Sequence, residues 1–166
     1  MSEEKPSLTP VELNAYFAFM EVSSLLRHSV EQQLHDAGGL SYVQFQLLAR
    51  LGNSPGGSQR MTDLADGVVY SRSGLTHQAG LLEKAGLVSR APSVNDERSV
   101  TVTISNAGRA VLADVFPGHI DLLKKSFFAP LGNGAVVALG ESLASVRDHL
   151  RAAPPRSAAP RRRKAD

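Results

Sequence analysis

Two polar stretches of the chain carry most of its candidate chemistry, and the first is SRSGLTHQ at residues 71–78. Arginine can pair with guanine in the major groove of DNA, glutamine can pair with adenine, and serine or threonine can contact bases or phosphates. Backbone N–H groups at a helix start would add a phosphate site. Only Leu75 is expected to point inward. The candidate DNA contacts are therefore Ser71, Arg72, Ser73, Thr76, His77 and Gln78. The alternative is the solvated face of a helix that serves only for packing.

The second polar stretch lies in SVNDERSVTVTIS, at residues 93–105. Alternating Thr, Val and Ile residues near its end predict a β-strand, which pairs with the preceding residues as a hairpin. Four consecutive polar residues at 95–98 do not suit a buried strand, and a simple hairpin turn needs only two residues. The tip is therefore expected to lie in water or against a charged partner.

Helices are expected to position both stretches. Thr9 and Glu12 form a capping box, and apolar residues then recur at helical spacing until Gly38-Gly39 ends the first helix. A second capping box, SYVQ at residues 41–44, predicts a short helix, and the following NSPGGSQ is typical of a loop. Two further helical patterns, at residues 61–68 and 75–82, are separated by a short segment containing YSRS. Two short helices with a short turn predict a helix–turn–helix.

The rest of the chain is predicted to be helical up to a polar tail. Ser105-Asn106 is expected to cap a fifth helix that runs towards Phe128, with Pro117-Gly118 kinking or interrupting it. The tail at residues 151–166 is rich in Pro, Ala and Arg and is predicted to be disordered. A sixth helix is indicated by an apolar stripe at spacings of three and four: Val136, Leu139, Leu143, Val146 and Leu150.

Length and composition limit the class of protein. The 166 residues suit one domain with a proper core, and the absence of cysteine excludes disulfides and thiolate metal sites. No apolar run approaches the ~18 residues that cross a bilayer, and the start of the chain is too acidic for a secretory signal. We therefore expect a cytoplasmic protein without membrane contact. The net charge of +2 conceals a tail with six basic groups and one acidic group. A nucleic-acid function for the folded part must rest on where its charges lie.

Signatures of enzymes and metal sites are missing from the sequence. It contains no Gly-x-Ser-x-Gly, His-Glu-x-x-His or dinucleotide fingerprint, and NSPGGSQ lacks the Gly-Lys-Ser/Thr of a phosphate loop. His28 and His35 lie seven residues apart without a carboxylate-rich cluster of metal-ligand spacing. His119 and His149 are expected at the surface. The sequence predicts a protein that is not an enzyme and that uses neither a metal nor a cofactor.

A helix–turn–helix followed at once by a hairpin is a winged helix, and here the sequence resembles a known family. The segment MTDLADGVVYSRSGLTHQAGLLEKAGLVSRAPSVNDERSVTVTISNAGR is similar to the core of the MarR family of transcriptional regulators. The similarity rests on the order and spacing of several features together. They are Leu64-Ala65, residues 71–76, LLEKAGLVSR, Asp96-x-Arg98 and, after VTIS, Gly108-Arg109.

The resemblance, which covers about residues 10–150, implies the fold and its division. The fold would be mostly α with a small β-hairpin wing: a six-helix winged helix–turn–helix that dimerises. Residues 1–9 would be an N-terminal extension, and residues 151–166 the basic tail. The winged helix–turn–helix would span about residues 41–105. The dimerisation helices would span about residues 10–38, 106–128 and 133–150.

The resemblance also gives the hairpin tip a role. In a winged helix the tip lies over the flanking minor groove, whose negative potential attracts an inserted arginine. Arg98 is the candidate, and the family's Asp-x-Arg pair implies that Asp96 orients its guanidinium. The alternative is a local salt bridge that only shapes the turn. Many relatives carry two adjacent arginines here, whereas this chain has Glu97 before Arg98, which should weaken the grip of the tip on DNA.

A ligand pocket between the dimer helices and the DNA-binding lobe is a further implication, commonly for small aromatic or phenolic anions. Arg27, His28 and Tyr42 are the polar residues expected near it. The expected function is a sequence-specific repressor that binds a pseudo-palindromic operator in double-stranded DNA as a homodimer and is released by such a ligand. Two alternatives stay open: a constitutive DNA binder without an effector, and a winged-helix module that binds another protein.

Overall fold

A computed structural model of the chain describes residues 7–68, 71–93 and 96–152, with residues 96–98 described by their backbone alone. Most of the expected N-terminal extension and of the basic tail therefore lies outside the described residues. The described residues contain six α-helices, as expected. They are α1 (Pro10–Gly38), α2 (Tyr42–Gly52), α3 (Met61–Val68), α4 (Arg72–Lys84), α5 (Asn106–Leu123) and α6 (Asn133–Arg151), with a 3₁₀ turn at Pro55–Gly57 and a π turn at Lys124–Phe128.

The strands form a small antiparallel sheet of three strands in the order β1-β3-β2. They are β1 (Ser58–Arg60), β2 (Val88–Ser93) and β3 (Asp96–Ile104). The β2–β3 hairpin is the expected wing, but the prediction of loop alone across NSPGGSQ is wrong. Ser58 pairs with Thr103, and their side-chain oxygens lie 2.7 Å apart. A strand of three residues is too short to show a detectable alternation of apolar and polar residues, so composition suggested only a loop.

Local capping signals set the helix starts as predicted. Glu12 N–H donates to Thr9 Oγ1 at 3.3 Å, and Thr9 N–H donates to the Glu12 carboxylate at 2.8 Å. Ser41 with Gln44 repeats this capping box at α2, and Ser105 caps α5. These reciprocal bonds satisfy N–H groups that have no partner within the helix.

Of the two outcomes expected at Pro117-Gly118, an interruption is wrong, because α5 continues through both residues to Leu123, whereas a kink stays a prediction. Proline removes one backbone donor from a helix, but tertiary packing can hold the helix across it. Here α5 packs against α1, and Gln33 Nε2 donates to Val115 O at 3.3 Å beside the proline. Val115 itself is fully buried.

The hydrophobic core lies where the second half of α1 meets α2, α3, α4, α5 and the sheet. Most of its side chains come from positions that repeat every three or four residues along the helices, as the sequence predicts. The largest fully buried side chains are Leu34, Leu47, Leu48, Leu51, Leu64, Leu75, Leu82, Val102 and Val115.

Outside this core, the two ends of the chain expose a large apolar surface. The first half of α1 leaves Phe17 59% exposed, and α6 buries no residue, with Val146 at 55% and Leu150 at 69%. Isolated apolar residues at a surface are normal, whereas a contiguous set marks an interface. Within the described ranges no single helix could span a membrane by length and apolarity; the bent pair Asn106–Phe128 and Asn133–Arg151 meets that criterion by length and composition only.

Candidate nucleic-acid interface

Helix α4 presents one buried apolar face and one exposed polar face. Ser71 caps it by accepting a hydrogen bond from Gly74 N–H at 3.2 Å, and Leu75 is fully buried, as predicted. Ala79 and Leu82 continue the buried face. Because these positions anchor the helix, the polar residues of its first turns are left on the solvent side. The exposed members of the predicted set are Ser71, Arg72, Ser73, Thr76 and His77.

Gln78, the last member of the predicted set, is placed differently from the others. It is partly buried, and its Oε1 is enclosed without a hydrogen-bond partner among the described residues. The Thr76 hydroxyl also has an internal contact, since it donates to Arg72 O at 2.8 Å. The fold therefore brings five predicted residues together on one exposed surface and sets Gln78 at its edge.

A charged contact ties the end of α4 to the base of the wing. The carboxylate of Glu83, in the last turn of α4, accepts from Arg90 N at 3.0 Å, Nε at 2.8 Å and a terminal guanidinium nitrogen at 2.6 Å. These side-chain hydrogen bonds from Arg90 hold the pKa of Glu83 below its usual value. Sequence analysis missed this contact, although an acid and a base seven residues apart across a helix–strand turn were a usable signal.

The start of α5 is hydrogen-bonded to the same α4–β2 turn. Ser105 Oγ, which caps α5, also donates to Gly86 O at 2.7 Å, and Ser105 N–H donates to Leu87 O at 3.0 Å. Gly86 has φ +73°, a left-handed conformation that suits glycine. Gly108 lets α5 approach closely, because a Cβ there would overlap Leu87 O and lie 2.9 Å from an Ile104 side-chain carbon. Helix α5, the recognition helix and the wing therefore meet at one joint.

The structure describes the side chains of β2 as far as Ser93, whereas the DNA contact proposed for the tip of the wing stays a prediction. Ser93 is buried, its hydroxyl lies 2.7 Å from Thr101 Oγ1, and the strand register shifts between Pro92 and Ser93. Such a bulge redirects a hairpin end. The side chains of Asp96 and Arg98 lie outside the described residues, so their predicted pairing has no geometry here.

A cavity of about 530 Å³ lies behind the helix–turn–helix, between α1, α2, α3 and α5. Arg27 and Tyr42 line it as expected, with Arg27 Cζ 5.3 Å from the centre of the Tyr42 ring. His28 is exposed on α1 and does not line it. The lining residues are Ser23, Leu26, Arg27, Val30, Tyr42, Phe45, Gln46, Ala49, Arg50, Gly67, His119 and Leu123. The described part of the wall is mostly apolar and carries two arginines but no acidic residue.

His119 lines this cavity, so the expectation that it is a surface residue is wrong. Its ring lies 4.7 Å from that of Phe45, and Nδ1 is enclosed without a partner among the described residues. Burial lowers the pKa of His119. The signal was its position four residues after Val115, on the inner face of α5. In the described ranges no group of three or more His, Cys, Asp or Glu could hold a metal.

Arg50 is the second cavity residue that sequence analysis missed. Its guanidinium donates to Gly67 O at 2.7 Å, across 17 residues of sequence. Gly67 is the penultimate residue of α3, directly before the segment that leads to α4. One side chain therefore touches both the cavity and the helix–turn–helix.

A helix–turn–helix with a polar recognition helix, followed by an antiparallel wing, defines a DNA-binding module of the winged-helix class. Comparison with known proteins supports the assignment. Residues 38–99 match the MarR family model. No curated protein sequence is significantly similar to the chain.

Solved structures show similarity over almost the whole chain. Sco3205 from Streptomyces coelicolor, a MarR family transcriptional regulator in complex with DNA, is 32% identical, with TM-score 0.84 over 90% of this chain and 93% of that one. AbsC, a MarR family regulator from the same organism, is 30% identical, with TM-score 0.84 over 89% and 99%. The organohalide-sensing RdhR-CbdbA1625 regulator bound to 2,4-dichlorophenol is 17% identical, with TM-score 0.74 over 91% and 89%.

The chain therefore belongs to the MarR family of winged helix–turn–helix transcriptional regulators. It is a DNA-binding regulator and not an enzyme, as the sequence predicted.

Proposed function

We propose that the protein is a homodimeric repressor of a pseudo-palindromic operator, and that a small aromatic or phenolic anion releases it from DNA. The observation that carries the proposal is the apolar cavity that holds Arg27 and Arg50 directly behind the helix–turn–helix. Its volume falls within the ~300–1,000 Å³ typical of small-molecule sites.

The apolar surface of α1 and α6 supports the homodimer. In one chain α6 buries none of its residues, and Val146 and Leu150 of its stripe are more than half exposed, as is Phe17 of α1. Burying both against a second copy would remove them from water. Two recognition helices related by a two-fold axis would then read half-sites about one helical turn, ~34–36 Å, apart.

The exposed surface of α4 supports sequence-specific contact with the major groove. Arg72 and Ser73 lie at the helix start, where side chains meet base edges and backbone N–H groups meet phosphates. Asp96 and Arg98 are proposed to contact the flanking minor groove. Selection of operators from random DNA tests this part, and A·T-rich flanks outside the half-sites are the result expected if Arg98 enters a narrow minor groove.

The chemistry of the cavity supports an anionic ligand with a ring. Phe45, Tyr42 and Leu26 offer apolar and aromatic surface, whereas Arg27 and Arg50 supply positive charge, with no acidic neighbour among the lining residues that the structure describes. A relative of the same fold binds 2,4-dichlorophenol. His28, which lies outside the lining, is the weakest of the predicted ligand residues.

Titration of the protein–operator complex with benzoate and 2,4-dichlorophenol tests the effector role. We expect fluorescence anisotropy to show operator affinity falling by about 5–150-fold, the usual range of allosteric coupling. A constitutive binder would keep its nanomolar affinity at every ligand concentration. Binding that is only micromolar, salt-sensitive and equal on any duplex would instead favour a protein-interaction module.

Replacement of Arg72 by alanine tests base recognition by α4. If Arg72 pairs with a base, Arg72→Ala should cost about 1–3 kcal/mol on the operator and relax specificity at one position in each half-site. Anisotropy on operator and random duplexes measures both effects. Arg151→Ala, at the exposed end of α6, is the matched control for removing one positive charge. Equal losses on operator and random DNA would make Arg72 a phosphate contact.

A further inference from the structure

We propose that Arg50 is a positioning residue for the recognition helix, and that an anion in the cavity acts on DNA binding by taking Arg50 away from Gly67. The second half of this inference rests on the proposed effector function, whereas the first half does not. It is carried by a contact that joins the cavity wall to the helix–turn–helix, the hydrogen bond from Arg50 to Gly67 O at 2.7 Å.

The carbonyl that accepts a hydrogen bond from Arg50 lies in the last turn of the described part of α3. The last four C=O groups of an α-helix have no intrahelical donor, and a nearby basic side chain can satisfy them. Gly67 lies at the end of the eight-residue helix α3, directly before the segment that leads to Ser71, the cap of α4. Arg50 is fixed on α2, whose Leu47, Leu48 and Leu51 are fully buried. The contact therefore holds the end of α3 to the rigid core.

The Arg50 guanidinium occupies the space that a side chain at position 67 would need. A Cβ at position 67 would lie 3.0 Å from Arg50 Nε and closer still to the other guanidinium atoms. The glycines with positive φ among the described residues are Gly39, Gly56, Gly57 and Gly86, so the backbone at 67 has no need of glycine. Glycine is also a poor residue inside a helix. A side chain at position 67 would therefore have to displace the Arg50 guanidinium from its present place.

The charges around Arg50 would allow an anion to replace Gly67 O as the acceptor of its hydrogen bond. Its acceptor is a neutral carbonyl, and the described lining residues include two other basic groups, Arg27 and His119, but no carboxylate. A carboxylate or phenolate in the cavity would be a stronger acceptor, because hydrogen bonds between two charged groups are shorter and stronger than those to a neutral partner. A ligand shifts an equilibrium only by binding one state better. Here the state that the anion favours is the one in which Arg50 donates to the anion instead of to Gly67 O, so that the end of α3 loses this support.

Two substitutions disturb the contact from opposite ends. Arg50→Gln removes the charged donor, whereas Gly67→Ala keeps Arg50 and fills the space that its guanidinium occupies, and alanine also favours the helical conformation of α3. Both should weaken operator binding without ligand by about ten-fold, within the usual range of coupling between sites. Arg50→Lys keeps one donor within reach of Gly67 O and should recover part of the affinity. The matched controls are Arg151→Gln and Gly134→Ala, since Arg151 is exposed and a Cβ at Gly134 meets nothing within 4 Å.

The response to benzoate and 2,4-dichlorophenol separates positioning from simple stability. Anisotropy should show that either anion weakens operator binding by the wild type and has little further effect on operator binding by Arg50→Gln. Calorimetry should show that either anion binds Gly67→Ala at least as tightly as it binds the wild type. Thermal unfolding identifies a variant that fails to fold. If Arg50→Gln does not fold, the operator affinity of Gly67→Ala tests the positioning role. Wild-type operator affinity in both Arg50→Gln and Gly67→Ala would overturn the proposal. If neither anion acts on the wild type but both variants lose operator affinity, the effector function fails while the positioning role of Arg50 stands.

Discussion

A single acidic substitution, Leu143→Asp, should convert the protein to monomers that no longer bind the operator. Leu143 lies in the middle of the α6 stripe and is 37% exposed in one chain, so a carboxylate there leaves the core of the monomer intact. A two-fold interface presents each residue twice, and each unpaired carboxylate that it buries costs several kcal/mol. Because one winged helix makes few contacts with DNA, loss of the dimer removes most of the affinity.

Light scattering and anisotropy measure the two consequences separately. Ser145→Asp is the matched control, because Ser145 is exposed and lies about 200° around α6 from Leu143. It introduces the same charge on the face away from the stripe and should leave mass and operator affinity unchanged. A Leu143→Asp variant that scatters as a dimer and binds normally would place the interface elsewhere, with α1 as the next candidate.

Periodicity and capping signals predicted the elements because both act over a few residues. The cap at Ser41 and the buried face of Leu64, Leu75 and Leu82 follow from spacing alone, and the structure confirms them. The polar residues at the start of α4 were predicted to face outward from their side-chain types, and the structure shows Arg72 and Thr76 exposed.

Contacts between distant segments could not be predicted in this way. Arg50 and Gly67 lie on different helices, and neither residue type alone indicates that the two meet. The polarity of His119 favours a surface position, but packing of α5 against α2 places its ring beside Phe45. Strand β1 was missed because its pairing with β3 depends on a partner more than 40 residues away. These contacts depend on how the elements pack, which a local pattern does not contain.

The wing and the dimer surface depend on partners that one chain does not include. The α6 stripe was predicted from spacing, and its exposure is what an interface requires, but the second copy stays a prediction. The pairing of Asp96 with Arg98 also stays a prediction.

Gly108→Ala, at the joint between α5 and the α4–β2 turn, should both destabilise the fold and weaken operator binding. The added Cβ would overlap the backbone oxygen of Leu87 and approach the Ile104 side chain at 2.9 Å. A backbone oxygen held by Ser105 cannot move aside as a flexible side chain can. We expect a loss of about 1–3 kcal/mol in the free energy of unfolding, which lowers Tm by roughly 2–4 °C per kcal/mol in a chain of this size.

The same overlap should act on DNA binding, because Leu87 belongs to the turn that joins the recognition helix to the wing. Pushing that turn away from α5 should change the angle between α4 and β2, although the hydrogen bonds between Arg90 and Glu83 oppose this change. Operator affinity measured well below the lowered Tm should therefore fall even where the variant is fully folded. Gly134→Ala is the matched control: its Cβ meets nothing within 4 Å, so the better helix propensity of alanine should keep or slightly raise Tm. If Gly108→Ala melts and binds DNA as Gly134→Ala does, then α5 can withdraw from Leu87 without cost, and the joint does not fix the wing.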